Sequence, residues 1–179
     1  MNIHDPSWQP LPTCVDARLR HWLLDRGSLT QRIQLRCRSF GLKVLSQRMA
    51  AVRPDEAAAI GLKPGLRCLE REVTLDCGSQ SVVFAHSVVP PDALKGPWRM
   101  LGGLGARPLG AALFADPCIK RYPLRFRQLS ARHPLYRRAA RLLVVRPPTL
   151  WARRSLFVLA NSPLLVTEVF LPAILALAP

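Results

Sequence analysis

Residues 66–91 read LRCLEREVTLDCGSQSVVFAHSVVPP, and this stretch decides the fold. Residues 66–75 and 81–89 are predicted to be two β-strands, in which successive side chains point to opposite faces. Gly78 and the polar residues after it are typical of a hairpin turn, and Pro90 and the proline after it end the second strand. The stretch therefore predicts an antiparallel hairpin.

Outward from this hairpin, similar patterns predict further strands and several short helices. Strands are expected at 42–52, 125–129, 155–159 and 164–171, and helices at 16–24, from Ser28 onward, at 54–60, up to Phe114 and at 135–143. Antiparallel strands with helices at the ends and on one face indicate an α+β fold with a single antiparallel sheet. Residues 1–179 are expected to form one domain, with 1–15 as a loosely ordered N-terminal segment.

Two charged residues break the strand pattern. Arg71 shares a strand face with the apolar residues Val73 and Leu75, and Glu168 lies in a strand that is apolar on both faces. A buried charge needs a partner, because an isolated one costs several kcal/mol. Arg71 and Glu168 could pair with each other, or the long stem of Arg71 could reach the surface; the alternative is that a ligand supplies the missing charge.

The ligand alternative has a specific chemistry. The planar guanidinium of Arg71 matches a carboxylate, and the carboxyl of Glu168 can hydrogen-bond a hydroxyl or exchange a proton. The two residues are therefore expected to line a buried pocket for a small anionic ligand. His86 shares a face with Val82 and Phe84, which is more typical of a core histidine than of a catalytic one. The glycine-rich stretch before Phe114 lacks the phosphate-loop pattern, although it can expose backbone N–H groups around Leu109.

The chain is strongly basic, with 26 Lys and Arg against 11 Asp and Glu and a net charge of +15. Eleven basic residues fall within 120–154, and no acid lies between Asp116 and Glu168. This basic stripe could contact phosphates or an anionic membrane surface, or could be a solvated face. It lacks interleaved aromatic residues, and the sequence shows no helix-turn-helix or zinc-finger signature, which disfavours nucleic-acid binding.

Two further features concern the cellular location. The five cysteines are scattered without a zinc or redox spacing, which predicts reduced thiols in a cytosolic protein. The most apolar stretch, 162–179, is interrupted by Glu168 and Pro172, so that no membrane span is expected. The first ten residues do not resemble a secretory signal.

Six stretches in order along the chain carry a resemblance to a known family. They are 24–30 (LDRGSLT), 69–73 (LEREV), 87–90 (SVVP), 107–114 (RPLGAALF), 150–155 (LWARRS) and 164–172 (LLVTEVFLP). Together they identify the chain as similar to the bacterial chorismate pyruvate-lyases, which make 4-hydroxybenzoate for ubiquinone. The resemblance covers about residues 20–172.

The resemblance implies roles for individual residues. Arg71 matches the arginine that holds the ring carboxylate, and Glu168 matches the glutamate at the far end of the ring. Leu109 and Leu29 match positions whose backbone N–H groups contact the ligand, although family members often have methionine at the latter. His86 stands where an arginine is common, which leaves its role open. The segment 120–149 is longer than in the shortest members, and the sequence assigns it no task.

The family fold is an antiparallel sheet with helical flaps over an enclosed cavity. The implied function is removal of pyruvate from chorismate to give 4-hydroxybenzoate, by a cytoplasmic, monomeric enzyme that needs neither cofactor nor metal. No nucleic-acid partner and no stable membrane insertion are expected. Three alternatives stay open: a non-catalytic effector-binding domain of the same fold, a basic protein that binds nucleic acid or membrane surfaces, and an enzyme that forms 3-hydroxybenzoate.

Overall fold

The computed structural model describes residues 7–178, and within them the strands form a single antiparallel sheet. The strands are β1 (Phe40–Ala51), β2 (Arg67–Cys77), β3 (Gln80–Val89), β4 (Lys120–Arg121), β5 (Arg125–Ser130), β6 (Thr149–Leu159) and β7 (Ser162–Phe170). Their order across the sheet is β1-β2-β3-β7-β6-β4, and β5 pairs with β6 beside β4. The predicted α+β class with one antiparallel sheet is confirmed.

Within residues 7–178, six short α-helices pack against this sheet. They are α1 (Ala17–Leu24), α2 (Leu29–Gln34), α3 (Pro54–Ile60), α4 (Pro91–Lys95), α5 (Leu109–Ala115) and α6 (Pro134–Ala140). The side chain of Asp16 caps α1, and the Ser28 hydroxyl accepts a hydrogen bond from the backbone N–H of Gln31 at the start of α2. These capping residues explain why both helices begin close to the predicted positions.

The helices cover both faces of the sheet, whereas the sequence predicted helices on one face only. One face carries Arg71, Ala85, Glu168 and Arg153 in neighbouring strands and is called the site face here. Helices α1, α2, α4 and α5 lie over it, while α3 and α6 pack on the opposite face. Because the central strands are buried on both sides, each face needs its own cover.

The hairpin at the centre of the sheet matches its prediction closely. Cys77 pairs with Gln80, and Gly78 adopts the left-handed conformation (φ 58°) that such a tight turn requires. The main boundary error falls on β6, which begins six residues before the predicted start at 155. Two adjacent arginines, Arg153 and Arg154, interrupt the apolar residues of β6 in the sequence, although both are buried, one on each face of the sheet.

The expectation of five reduced cysteines is wrong for two of them. Cys37 and Cys77 form a disulfide, with their Cα atoms 5.7 Å apart. The pairing of Phe40 with Cys77 at the start of β1 brings together residues separated by 40 positions, a proximity that sequence spacing cannot reveal. Cys14 and Cys118 are exposed free thiols, and burial raises the pKa of the third free thiol, Cys68, to about 11.

Part of the predicted loose segment 1–15 is docked onto the sheet. Trp8 is buried against α6, and Gln9 forms a β-bridge with Phe126. Residues 1–6 lie outside the described part of the chain. Among the helices of residues 7–178, none has the length and apolarity needed to cross a membrane.

Candidate active site

A cavity lies between the site face and the helices α2 and α5. It has about 650 Å³ of space between atoms, a volume that includes the open mouth of the cavity. Apolar side chains line most of its wall, and charged side chains stand at its edges. The four predicted site residues, Arg71, Glu168, Leu29 and Leu109, all line this one cavity.

Arg71 is a buried cation held by neutral partners. Its Nη1 donates to the Oε1 atom of Gln47 at 2.8 Å, and its Nη2 donates to the backbone carbonyl of Gly105 at 2.7 Å. Among residues 7–178, no carboxylate forms a salt bridge with it. Burial lowers the pKa of Arg71, because the charged form loses its hydration. These two hydrogen bonds use two of the five guanidinium N–H groups, and the others can donate to an anion.

Glu168 has a partner that the sequence did not indicate. Arg153, on the neighbouring strand β6, donates from Nε to the Oε2 atom of Glu168 at 2.5 Å. Nη1 of Arg153 also donates to the backbone carbonyls of Trp22 and Asp25, which ties the end of α1 to the sheet. The carboxylate oxygens of Glu168 can also accept hydrogen bonds from a ligand.

Arg71 and Glu168 do not pair with each other, so the internal salt bridge left open by the sequence is ruled out. In the sheet, Arg71 of β2 lies opposite Ser87 of β3, and Glu168 of β7 lies opposite Ala85 of β3. The two positions on β3 are two residues apart. Strand spacings therefore separate their Cα atoms by about 12 Å. With their side chains directed into the cavity, this distance leaves space for one substituted ring between them.

Leu29 and Leu109 are the first residues of α2 and α5, where backbone N–H groups have no partner within the helix. The two helix starts meet at Gly110. A Cβ atom there would lie 3.2 Å from the Ser28 hydroxyl and 3.3 Å from the Thr30 hydroxyl. The glycine thus allows α2 and α5, the two helical flaps, to pack closely against each other over the cavity.

Arg121 of β4 is a further cavity residue that the sequence analysis missed. Nε and Nη2 donate to the Ser155 hydroxyl at 3.2 and 2.8 Å, and Nη1 donates to the backbone carbonyl of Arg26 at 2.5 Å. The guanidinium also lies over the rings of Phe114 and Phe157, at 5.3 and 5.4 Å from their centroids. Burial, followed by the charge of Arg153, lowers the pKa of Arg121 to about 10.

His86 lies on the opposite face, away from the cavity. Its Nδ1 atom is 3.2 Å from the carboxylate of Glu72, and its Nε2 atom is 3.0 Å from that of Glu56. Burial alone would lower the pKa of His86, but the two carboxylates outweigh it and raise the pKa above its ordinary value. His86 is therefore a core residue whose protonated form is favoured by two carboxylates, and its position opposite the cavity excludes direct contact with a ligand there.

Glu56, Glu70 and His86 are also the one group in residues 7–178 with ligand atoms close enough for a metal ion, within 4.8 Å of one another. Arginines already oppose both carboxylates. Arg53 contacts Glu56, and Nη1 of Arg138 lies 3.5 Å from the Glu70 carboxylate. This arrangement is a buried ion network in which acids and bases offset one another.

The basic stripe is used partly inside the molecule. Arg153 and Arg121 line the cavity, Arg154 forms a 2.5 Å ion pair with Asp55 of α3, and Arg138 of α6 contacts Glu72. The long segment 120–149, which the sequence left without a task, supplies α6 as cover for the opposite face. At least four of the eleven charges of the basic stripe are therefore structural or face the cavity.

The fold and the cavity define a domain with a pocket, lined by apolar and basic side chains, between the helices α2 and α5 and the sheet. A family model described as chorismate lyase matches residues 6–177. Curated relatives named "Probable chorismate pyruvate-lyase" include those of Nitrosospira multiformis (54% identical, covering 96% of each chain) and Aromatoleum aromaticum (51%, covering 97% of this chain and 96% of the relative). The chain belongs to the chorismate lyase family.

Solved structures with the same fold are regulatory domains. The effector domain of PhnF from Mycobacterium smegmatis is 16% identical and covers 83% of this chain and 91% of its own, with a TM-score of 0.56. A GntR-family transcriptional regulator from Bacillus cereus is 10% identical and covers 74% of this chain and 92% of its own, with a TM-score of 0.54. At these identities the likeness shows the fold alone.

Proposed function

We propose that this protein cleaves chorismate into 4-hydroxybenzoate and pyruvate, the step that provides the aromatic ring of ubiquinone. The main support for this proposal is the buried guanidinium of Arg71, which has no carboxylate partner among residues 7–178 and faces the same cavity as Glu168. A ligand with a ring carboxylate at one end and a hydroxyl at the other complements this arrangement. Membership of the chorismate lyase family identifies the ligand as chorismate.

The proposed binding mode follows from the geometry of the cavity. Arg71 binds the ring carboxylate through its remaining N–H groups, and the backbone N–H of Leu109 adds a donor at the same end. Glu168 accepts a hydrogen bond from the ring hydroxyl at the far end, where the backbone N–H of Leu29 contacts the same oxygen. Apolar residues such as Val73 contact the ring between the two ends.

The reaction divides the atoms of chorismate between two products. The bond between the ring and the ether oxygen breaks, the neighbouring ring carbon loses its hydrogen, and the enolpyruvyl methylene gains one to give pyruvate. The balance requires no oxidant, reductant or water, and formation of the aromatic ring drives it. The protein contributes orientation of the substrate, exclusion of water by the flaps and stabilisation of negative charge at the ether oxygen.

Incubating the purified protein with chorismate tests the proposal. We expect 4-hydroxybenzoate, identified by chromatography, and an equal amount of pyruvate, measured with lactate dehydrogenase. Arg71→Met should abolish most of the activity. Tight binding of chorismate without turnover would instead indicate an effector-binding domain, and 3-hydroxybenzoate would indicate the related lyase reaction. Either result would refute the proposed activity.

We further propose that the chain acts as a single-domain monomer in the cytoplasm, without a nucleic-acid partner. One sheet runs through residues 40–170, which supports a single domain. The exposed free thiols Cys14 and Cys118 support the cytoplasm, because an oxidising compartment would tend to oxidise them, whereas the Cys37–Cys77 disulfide is a feature that oxidising compartments favour. Gel filtration at the monomer volume and the absence of a salt-sensitive shift of DNA or RNA are the expected results.

A further inference from the structure

The charges around the cavity do not balance. Three arginines, Arg71, Arg121 and Arg153, face it with one carboxylate, Glu168. Glu168 is paired with Arg153, so the cavity keeps a net charge of two positive on Arg71 and Arg121. Arg71 is buried and Arg121 is partly buried. Cations that lack hydration and counter-ions are costly, and a ligand with two negative charges would neutralise both.

Arg121 has N–H groups in a fixed orientation that can donate to an anion. Three of its five N–H groups are used by Ser155 and by the carbonyl of Arg26, which leaves one hydrogen on each Nη nitrogen. Among residues 7–178, no carboxylate forms a salt bridge with it. The contacts to Ser155 and to the phenyl ring of Phe157 fix the orientation of the guanidinium before a ligand arrives.

The position of Arg121 suits the second carboxylate of the substrate. β4 lies four strand positions from β2, so Arg121 and Arg71 stand on opposite sides of the cavity, with Cα atoms about 19 Å apart across the strands. Glu168 is on β7, which lies between β2 and β4 in the sheet. Along the strands, Glu168 is displaced from Arg71 in the direction opposite to Arg121. Arg121 also lines an outer cavity together with Arg26 and Tyr122, which places it where a leaving group would reach the surface.

We propose that Arg121 binds the carboxylate of the enolpyruvyl side chain and thereby makes the site selective for the dianionic substrate over the monoanionic aromatic product. The inference rests on the proposed function, because it concerns the same cavity. When the ether bond breaks, this carboxylate leaves with pyruvate. 4-Hydroxybenzoate keeps its contacts with Arg71 and Leu109 at one end and with Glu168 and Leu29 at the other, but has no group that reaches Arg121. Binding of the product should therefore not depend on Arg121.

The test compares chorismate with 4-hydroxybenzoate in three variants. Arg121→Met should lower kcat/KM for chorismate about a hundredfold, the usual scale for losing one partner of a buried charge pair, and leave the Kd of 4-hydroxybenzoate within about threefold. Arg121→Lys should recover part of the loss because it restores the charge. The matched control, Arg71→Met, should weaken binding of both molecules.

Two results would overturn the proposal: kcat/KM for chorismate within about threefold of wild type in Arg121→Met, or an equal loss for chorismate and 4-hydroxybenzoate. If Arg121→Met does not fold, Arg121→Gln keeps a donor for Ser155 without the charge and is judged by the same ratio. Failure of the proposed function is distinguishable, because wild-type protein would then form no product. The Arg121 assignment would still be decided by calorimetric Kd values for the two molecules.

Discussion

Replacing Arg153 by methionine perturbs the ion pair that holds Glu168 in the cavity wall. Arg153 is 1% exposed and donates to the Glu168 carboxylate and to the backbone carbonyls of Trp22 and Asp25. Methionine keeps much of the apolar volume but leaves a poorly hydrated carboxylate and two carbonyls without their donor. The variant therefore isolates the loss of charge and hydrogen bonds from the loss of packing.

Removing one partner of a buried ion pair typically costs about 3–5 kcal/mol, a large part of the roughly 5–15 kcal/mol that stabilises a domain. At about 2–4 °C per kcal/mol for a chain of this size, the Tm should fall by roughly 6–20 °C. In a background carrying Glu168→Gln, the same Arg153→Met change should cost about 1–3 kcal/mol less, because no unpaired carboxylate remains.

Urea unfolding followed by circular dichroism measures the free energy of unfolding of four proteins: the wild type, Arg153→Met, Glu168→Gln and the double variant. Arg154→Met is a matched control, since Arg154 is a buried arginine of the same strand that pairs with Asp55 on the opposite face. Glu168→Gln should not relieve the destabilisation by Arg154→Met. If the Arg153 and Glu168 changes are additive within about 0.3 kcal/mol, the ion pair does not stabilise the site as described.

Three other predictions concern the core, the flaps and the disulfide. The pKa of His86 is higher in the folded protein than in the unfolded chain, so its protonation should stabilise the fold fully below about pH 6.5. This stabilisation should be lost as the pH rises through the pKa of His86 in the folded protein. In urea titrations above pH 6.5, His86→Gln should therefore reduce the fall of the free energy of unfolding with pH. Gly110→Ala should push α5 away from Ser28 and raise the Kd of 4-hydroxybenzoate about tenfold in a fluorescence titration, whereas an unchanged Kd would argue against flap closure at this contact. Thiol titration of the unfolded, unreduced protein should find three thiols, and replacing Cys37 and Cys77 by alanine should cost roughly 2–4 kcal/mol in the same unfolding assay; five thiols would contradict the disulfide.

Local patterns in the sequence were sufficient for most of the elements. The alternation of strand residues placed Arg71 on an apolar face, and capping residues such as Ser28 located the helix starts. These signals depend on neighbours within a few residues, and the same interactions form in the folded protein. The unusual position of Arg71 was therefore visible before any partner was known.

Long-range partners were not accessible in the same way. Arg153 and Arg121 appeared only as members of a basic stripe, because nothing local indicates that one meets Glu168 and the other faces the cavity. His86 was placed correctly among apolar residues of its strand, but its partner Glu56 comes from a helix on another part of the chain. Such contacts depend on the strand order and on which helix covers each face.

Arg71 and Glu168 are proposed to hold opposite ends of one aromatic ring, and a crystal structure of the protein with 4-hydroxybenzoate would show whether they do. We expect the ligand carboxylate within hydrogen-bond distance of the Arg71 guanidinium and the ligand hydroxyl within hydrogen-bond distance of the Glu168 carboxylate. A ligand bound in the reverse orientation, or outside this cavity, would refute these two assignments.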